Sequence, residues 1–379
     1  MRVLKFAGII FMAALVFLAG CETSPNGSLP PDWSTKGDIQ RPTNSASWTP
    51  IPNAPKTNVL KTNLPPVVHS NPPVAVRPAP VLTWISLNRW AVENQLSPPQ
   101  HLTASPLSTW SLSSKSGTLV LAIGSHEVTW NGITLYLGFP PEMADDQIIV
   151  QGLDLQKNLA PLLTGEKLDF SGTNRVIVID PGHGGINAGT LNVLGGPPEK
   201  VFTLDWARRL APLLATNGWT VYLTRTNDVD ITLSNRVAFA EAHHADLFIS
   251  LHFNSSAPDK KQNGLETYDL TPNRMPSTLT RGYTDMLADN YPNNAFDVQN
   301  LLLALRLHGA VLRASGEEDR GIRRARFMGV LQGQRRPAVL IEGGYLSNPI
   351  EAKRIEDPEF RQKLAEAVAT ALKLGEDAK

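Results

Sequence analysis

Residues 175–185 read Arg175-Val-Ile-Val-Ile-Asp-Pro-Gly-His-Gly-Gly185. Four apolar β-formers run into an Asp180-Pro181-Gly182 break, the pattern of a short strand covered on both faces. His183 stands just past the break, and its flanking glycines leave the ring open to whatever approaches the strand end. Taken alone, the segment fits a turn histidine as well as a ligand-binding one.

Downstream, strands and helices alternate. A helix is expected over Lys200–Thr216 with its stop at Gly218, then strand "WTVYLTR", helix "TLSNRVAFAEAHH" and strand "DLFISLH". Strand "PAVLIE" and a helix from Pro358 to Leu374 close the chain. Continuous apolar strands separated by helices predict an α/β fold, a doubly wound and mostly parallel sheet with helices on both faces. Ligands of such sheets bind beyond the carboxyl ends of the strands. His183, His252 and Glu342 all fall at or just after predicted strand ends, and Glu199, in "GGPPEK", lies where a loop enters a helix.

The first 20 residues read as a targeting segment. Arg2 and Lys5 precede an apolar run from Phe6 to Leu18, shorter than the roughly 20 residues of a membrane span and suited to a secretion signal. Leu18-Ala-Gly-Cys21 resembles the bacterial lipobox, which implies lipidation of Cys21; an ordinary signal peptide with an incidental cysteine is the alternative. Cys21 is the only cysteine, so internal disulfides are excluded. Residues 21–80 hold 13 of the 30 prolines and read as a disordered tether, able to reach on the order of 100 Å when extended. The expected location is therefore an exported, membrane-anchored lipoprotein, on the periplasmic face or elsewhere in the cell envelope. Residues 81–165 predict a small α+β domain, with a hairpin turn at Trp130-Asn131-Gly132. It is similar to the stalk-like amino-terminal module of copper amine oxidases.

Lys+Arg and Asp+Glu each number 35 in a chain of 379 residues. The zero formal charge argues against nucleic acid as a partner. Two imidazoles and one carboxylate make an open zinc site, and a second carboxylate can take a proton from water. His183, Glu199, His252 and Glu342 supply those groups, but over a span of about 160 residues without a compact metal motif. Spacing alone leaves the matter open.

"VIVIDPGHGG", the glutamate of "PPEK", "DLFISLHFNS" and "PAVLIEGGYLSN" resemble the hallmark segments of zinc-dependent N-acetylmuramoyl-L-alanine amidases of the type-3 family. "YLTRTNDVDITLSNRVAFA" and "DRGIRRARF" extend the resemblance, in the same order, over residues 175–375. It implies one Zn2+ held by His183, Glu199 and His252, with Glu342 as the catalytic carboxylate. The substrate implied is peptidoglycan, cut at the amide between N-acetylmuramic acid and L-alanine. Two features depart from the family: Pro197-Pro198 stand before Glu199, and Thr271–Asp297 occupies the region where some relatives carry an inhibitory helix. Its prolines and asparagines favour an irregular lid or groove wall. Another zinc hydrolase of wall peptide or sugar, and a non-catalytic wall-binding lipoprotein, are the competing readings. His243 and His244 read as helix-capping or surface residues and His308 as structural. Asp180 reads either as a group orienting a ligand or as a turn aspartate. Arg320, Arg323 and Arg324 could meet an anionic stem peptide, but read by default as a solvated basic face.

Overall fold

The computed structural model describes residues 83–170 and 173–373. The readings of residues 1–80 as signal, lipidated Cys21 and tether lie outside the described residues. The amino-terminal part contains β1 (Trp84–Ser86), α1 (Leu87–Glu93), β2 (Gln100–Thr103), β3 (Thr109–Ser114), β4 (Gly117–Ala122), β5 (Glu127–Trp130), β6 (Ile133–Tyr136), β7 (Glu142–Ala144) and β8 (Gln147–Gln151). A helical stretch follows, α2 (Gly152–Asp154) and α3 (Ala160–Thr164) flanking a wider turn. Then come β9 (Val176–Pro181), α4 (Glu199–Thr216), β10 (Thr220–Leu223), α5 (Leu233–Ala242), β11 (Leu247–Asn254) and β12 (Leu265–Asp269). The chain ends with α6 (Asp297–Ser315), β13 (Asp319–Arg324), α7 (Gly329–Gln332), β14 (Ala338–Tyr345), α8 (Pro349–Glu356) and α9 (Pro358–Ala371).

Strands β10, β9, β11 and β14 are parallel neighbours in that order, and β12 joins β14 antiparallel. Their side chains sort by the period of two. Ile177, Ile179, Leu247, Ile249, Leu251, Val339 and Ile341 enter the larger core with Trp206, Leu210 and Leu364 of the helices. Val178, Phe248 and Leu340 face the other way, onto Ala240 and Leu331. Each such side chain contributes about 1.5–3 kcal/mol when fully buried. Both faces are therefore apolar, and the sheet is a middle layer with helices on either side. The fold class agrees with the sequence expectation.

The sheet does not stop at β12. Beyond it β13 runs parallel to β12 and pairs with β6, after which β5, β4, β3 and β2 continue antiparallel to give eleven strands. Asn131 and Gly132 supply the two left-handed residues of the β5–β6 turn, as an Asn-Gly hairpin requires. The join is stapled by Asp319, which accepts from the Thr134 and Gly321 amides and pairs with His308 Nε2 at 2.9 Å. Lys157 crosses the same boundary to Asp297 at 3.1 Å. Strands β1, β8 and β7 form a separate small sheet. No helix among the described residues is long and apolar enough to cross a membrane.

Between Leu270 and Tyr291 the chain forms no helix, and Pro292–Phe296 is a single tight turn leading into α6. The basic run of β13 and the residues just past it is not a solvated face throughout. Arg324 is buried against Asp269 at 3.3 Å and Arg326 against Asp285. Charge in that run is used for internal pairing, which the default reading of the sequence missed.

Candidate active site

His183 is the second residue beyond β9. Its backbone is left-handed, φ +60°, a conformation uncommon outside glycine and concentrated at functional sites. Two buried arginines hold the turn in place. Arg225 donates to the carbonyls of Pro181 and Gly182, and Arg236 donates to those of Pro181 and His183. Asp180 accepts from Arg236, Thr224 and Ser250 at 2.5–2.7 Å. Burial opposes the Asp180 charge, but Arg236 and these donors outweigh it and lower the pKa. Asp180 thus orients His183 through Arg236. Gly182 is also required sterically: a Cβ there would lie 2.3 Å from the His252 ring.

Glu199 is the first residue of α4, with Pro198 preceding it in extended conformation. A proline at that position costs nothing, since the first helical amides have no internal partner. The Glu199 carboxylate is buried and split between two sides. Oε2 accepts from the Thr190 amide and lies 3.1 Å from His183 Nε2. Oε1 accepts from the Phe253 amide and lies 3.0 Å from His252 Nδ1. The other His183 nitrogen, Nδ1, meets Asn187 Oδ1 at 2.9 Å, and the two imidazoles lie edge to face at 4.8 Å. One ligand atom from each of His183, Glu199 and His252 lies within 4.8 Å of the others.

The electrostatics follow from burial against pairing. Burial opposes the Glu199 charge, yet both imidazoles favour it, and its pKa falls well below the usual carboxylate value. Burial would lower His183, but Glu199 and Asn187 raise it. Burial and the neighbouring His183 lower His252.

Glu342 stands on β14 in register with His252 on one side and Glu266 of β12 on the other. Burial chiefly, then the charges of Glu199 and Glu266, push its pKa well above the usual value, against the pull of Arg281. Its Oε2 is buried with no hydrogen-bond partner among the described residues, a costly state for a structural carboxylate. Two imidazoles and a carboxylate are the ligand types of an open zinc site, and Glu342 stands on the adjoining strand with one buried oxygen unpartnered. The residues fit the metal.

The structure thus brings His183, Glu199 and His252 together, with Glu342 on the adjoining strand. His308 lies elsewhere, bonded to Thr267 and Asp319, and His243 is the C-cap of α5. Asn187, Arg225, Arg236 and Arg281 escaped the sequence reading. The first three are polar residues beside hallmark segments, the only signal available.

Residues 177–374 match the Amidase_3 family, described as N-acetylmuramoyl-L-alanine amidase. The chain belongs to this amidase family. It is 31% identical over 243 residues to N-acetylmuramoyl-L-alanine amidase AmiC of Escherichia coli O6:H1, covering 58% of each chain. It is 32% identical to AmiA of Escherichia coli, covering 54% of this chain and 76% of that one. Among solved structures, the catalytic domain of CwlV, an N-acetylmuramoyl-L-alanine amidase from Bacillus (Paenibacillus) polymyxa, is 32% identical. It aligns over 52% of this chain and 96% of that one with a TM-score of 0.43.

Proposed function

We propose that this member of the amidase family is a zinc hydrolase of the bacterial cell wall. Its reaction is cleavage of the amide between the lactyl group of N-acetylmuramic acid and the L-alanine of the stem peptide. The observation that carries the reading is the convergence of His183, Glu199 and His252 beside a buried carboxylate, Glu342, that has an oxygen to spare. Those three would hold one Zn2+, which when bound supplies Lewis-acid polarisation of the carbonyl and a lowered water pKa. Asn187 and Glu199 fix the His183 ring, and the Thr190 and Phe253 amides hold the Glu199 oxygens apart, one toward each imidazole. Glu342 takes the proton of the attacking water and returns it to the alanine nitrogen as the C–N bond breaks. A carboxylate whose proton affinity is raised by burial suits a group that must hold the proton between the two steps.

The same reading places the protein outside the cytoplasm, anchored through Cys21, with residues 22–80 as tether and 81–165 as a stalk-like module. Digestion of purified peptidoglycan tests the chemistry. Stem peptides with free alanine amino ends are expected, and a chelator abolishes their release. Released acetate, or cut cross-links with the alanine amide intact, would overturn the assignment. Cys21→Ser is expected to move the protein from the membrane to the soluble fraction; continued membrane retention would refute the anchor.

A further inference from the structure

Next to the reactive group lies a second cluster that the proposed chemistry does not use. Glu266 sits one strand beyond Glu342 and is buried. Its carboxylate accepts from Asn254 Nδ2 and the Tyr268 hydroxyl at 2.7 Å and from Arg320 Nε at 3.1 Å. Those three bonds satisfy it. Arg281 and Arg323 also face it, but at 3.8 Å, beyond hydrogen-bond range. Arg323 Nε is buried with no hydrogen-bond partner among the described residues, and Arg281 Nη2 turns to the Asn254 and Tyr268 oxygens at 3.0 Å. Three guanidinium groups therefore surround one carboxylate. Counting Glu342 as charged still leaves the group net positive.

The arginines are held but not sealed. Arg323 stacks on the Tyr136 ring at 3.6 Å, Arg320 on Tyr345 at 5.1 Å and Arg281 on Tyr268 at 5.7 Å. Such stacking fixes a guanidinium while leaving its edge free. Their side chains keep 17%, 23% and 33% of their exposure respectively. Glu266 is two strands from His252, about 10 Å by strand spacing, the reach of about three extended residues.

We propose that Arg281, Arg320 and Arg323 form an anion subsite for a free carboxylate of the peptide, on the leaving-amine side of the scissile bond. The inference rests on the amidase reading above and deepens it. The span fits a carboxylate on the second or the third residue of the stem, and Tyr136 makes the amino-terminal part of the sheet a wall of that subsite.

The test uses the full chain loaded with zinc and soluble muramoyl-tripeptides, their chain-terminal carboxyl amidated throughout, in three forms: both remaining acids free, the second-residue carboxyl amidated, and the third-residue side-chain carboxyl amidated. One amidated form is expected to lose at least about tenfold in kcat/KM, chiefly through KM, as for a lost charge-assisted hydrogen bond. Which form suffers identifies the carboxylate. In Arg281→Gln and Arg320→Gln the acid-to-amide ratio of kcat/KM is expected to fall toward one; as a ratio within one preparation, it is unaffected by partial misfolding. Equal cleavage of all three forms by the unaltered protein overturns the subsite and leaves the amidase reading standing. A preference that survives both substitutions overturns it too. If the muramoyl–alanine bond is cut in none of the three, the amidase reading fails and the subsite with it.

Discussion

Gly182→Ala offers a direct test of where His252 stands. The added methyl would lie 2.3 Å from His252 Cε1 and 2.4 Å from Nε2. Ordinary van der Waals contact begins near 3.4 Å, so either the ring or the turn must move by about 1 Å. The ring is boxed in by Glu199 and His183, and the turn is clamped by Arg225 and Arg236. Metal ligands tolerate displacements of about 0.2 Å, and a misplacement of about 1 Å costs on the order of 100-fold in rate. We expect zinc affinity, measured by competition with a chromophoric chelator, to fall at least tenfold, and activity by about 100-fold. Overpacking should also cost about 1–3 kcal/mol of stability. Gly343→Ala is the control. Its methyl would press on Trp206, Phe253 and Leu364 at 2.9–3.2 Å, so it should lose comparable stability and keep its zinc affinity. A Gly182→Ala protein with unaltered zinc affinity would refute the packing argument.

Further outcomes follow from individual side chains. Glu342→Gln should retain zinc and lose about 100- to 10,000-fold in turnover, whereas His183→Ala should lose the metal as well; elemental analysis and single-turnover rates separate the two. Asp319→Ala removes the partner of His308 and of two backbone amides and should cost about 2–3 kcal/mol in denaturant unfolding. Asp269 is fully buried, and burial lifts its pKa to about 7 against the pull of Arg324, with Asp297 adding to the rise. Its folded pKa exceeds the unfolded one, so its contribution is complete below about pH 4 and is lost as pH rises to about 7, on the order of 4 kcal/mol in all. The stability difference between the unaltered protein and Asp269→Asn should therefore shrink across that window. A difference that is flat with pH would show that Asp269 is ionised throughout.

Much of the parallel core was legible because its strands are apolar on both faces. β9, β10, β11 and β14, with helices α4, α5 and α9, appear within a few residues of their expected bounds. β12 and β13 were not legible. Their sequences, "LETYD" and "DRGIRR", carry no strand signal because Glu266, Asp269 and Arg324 are buried yet paired, a state that hydrophobic periodicity cannot register. The join of β6 to β13 is likewise invisible to local pattern, since it brings together Leu135 and Ile322 from distant parts of the chain. At the site, strand and helix ends drew attention to His183, Glu199, His252 and Glu342, while the ligand set itself came only from the resemblance to the amidase family. The groups that aim them, Asn187, Arg225 and Arg236, were not, because their partners are backbone carbonyls and side chains met only after folding.

The seam at β6 and β13 changes what it means to shorten this protein. A chain cut just before Val176 would leave β13 with a row of backbone donors and acceptors open to any passing strand. It would also strip the ring of Tyr136 from beneath Arg323. Exchanging the front part between relatives is therefore a replacement of the last plank in a floor, which must match its neighbour in length and grain, and not the swapping of beads on a string.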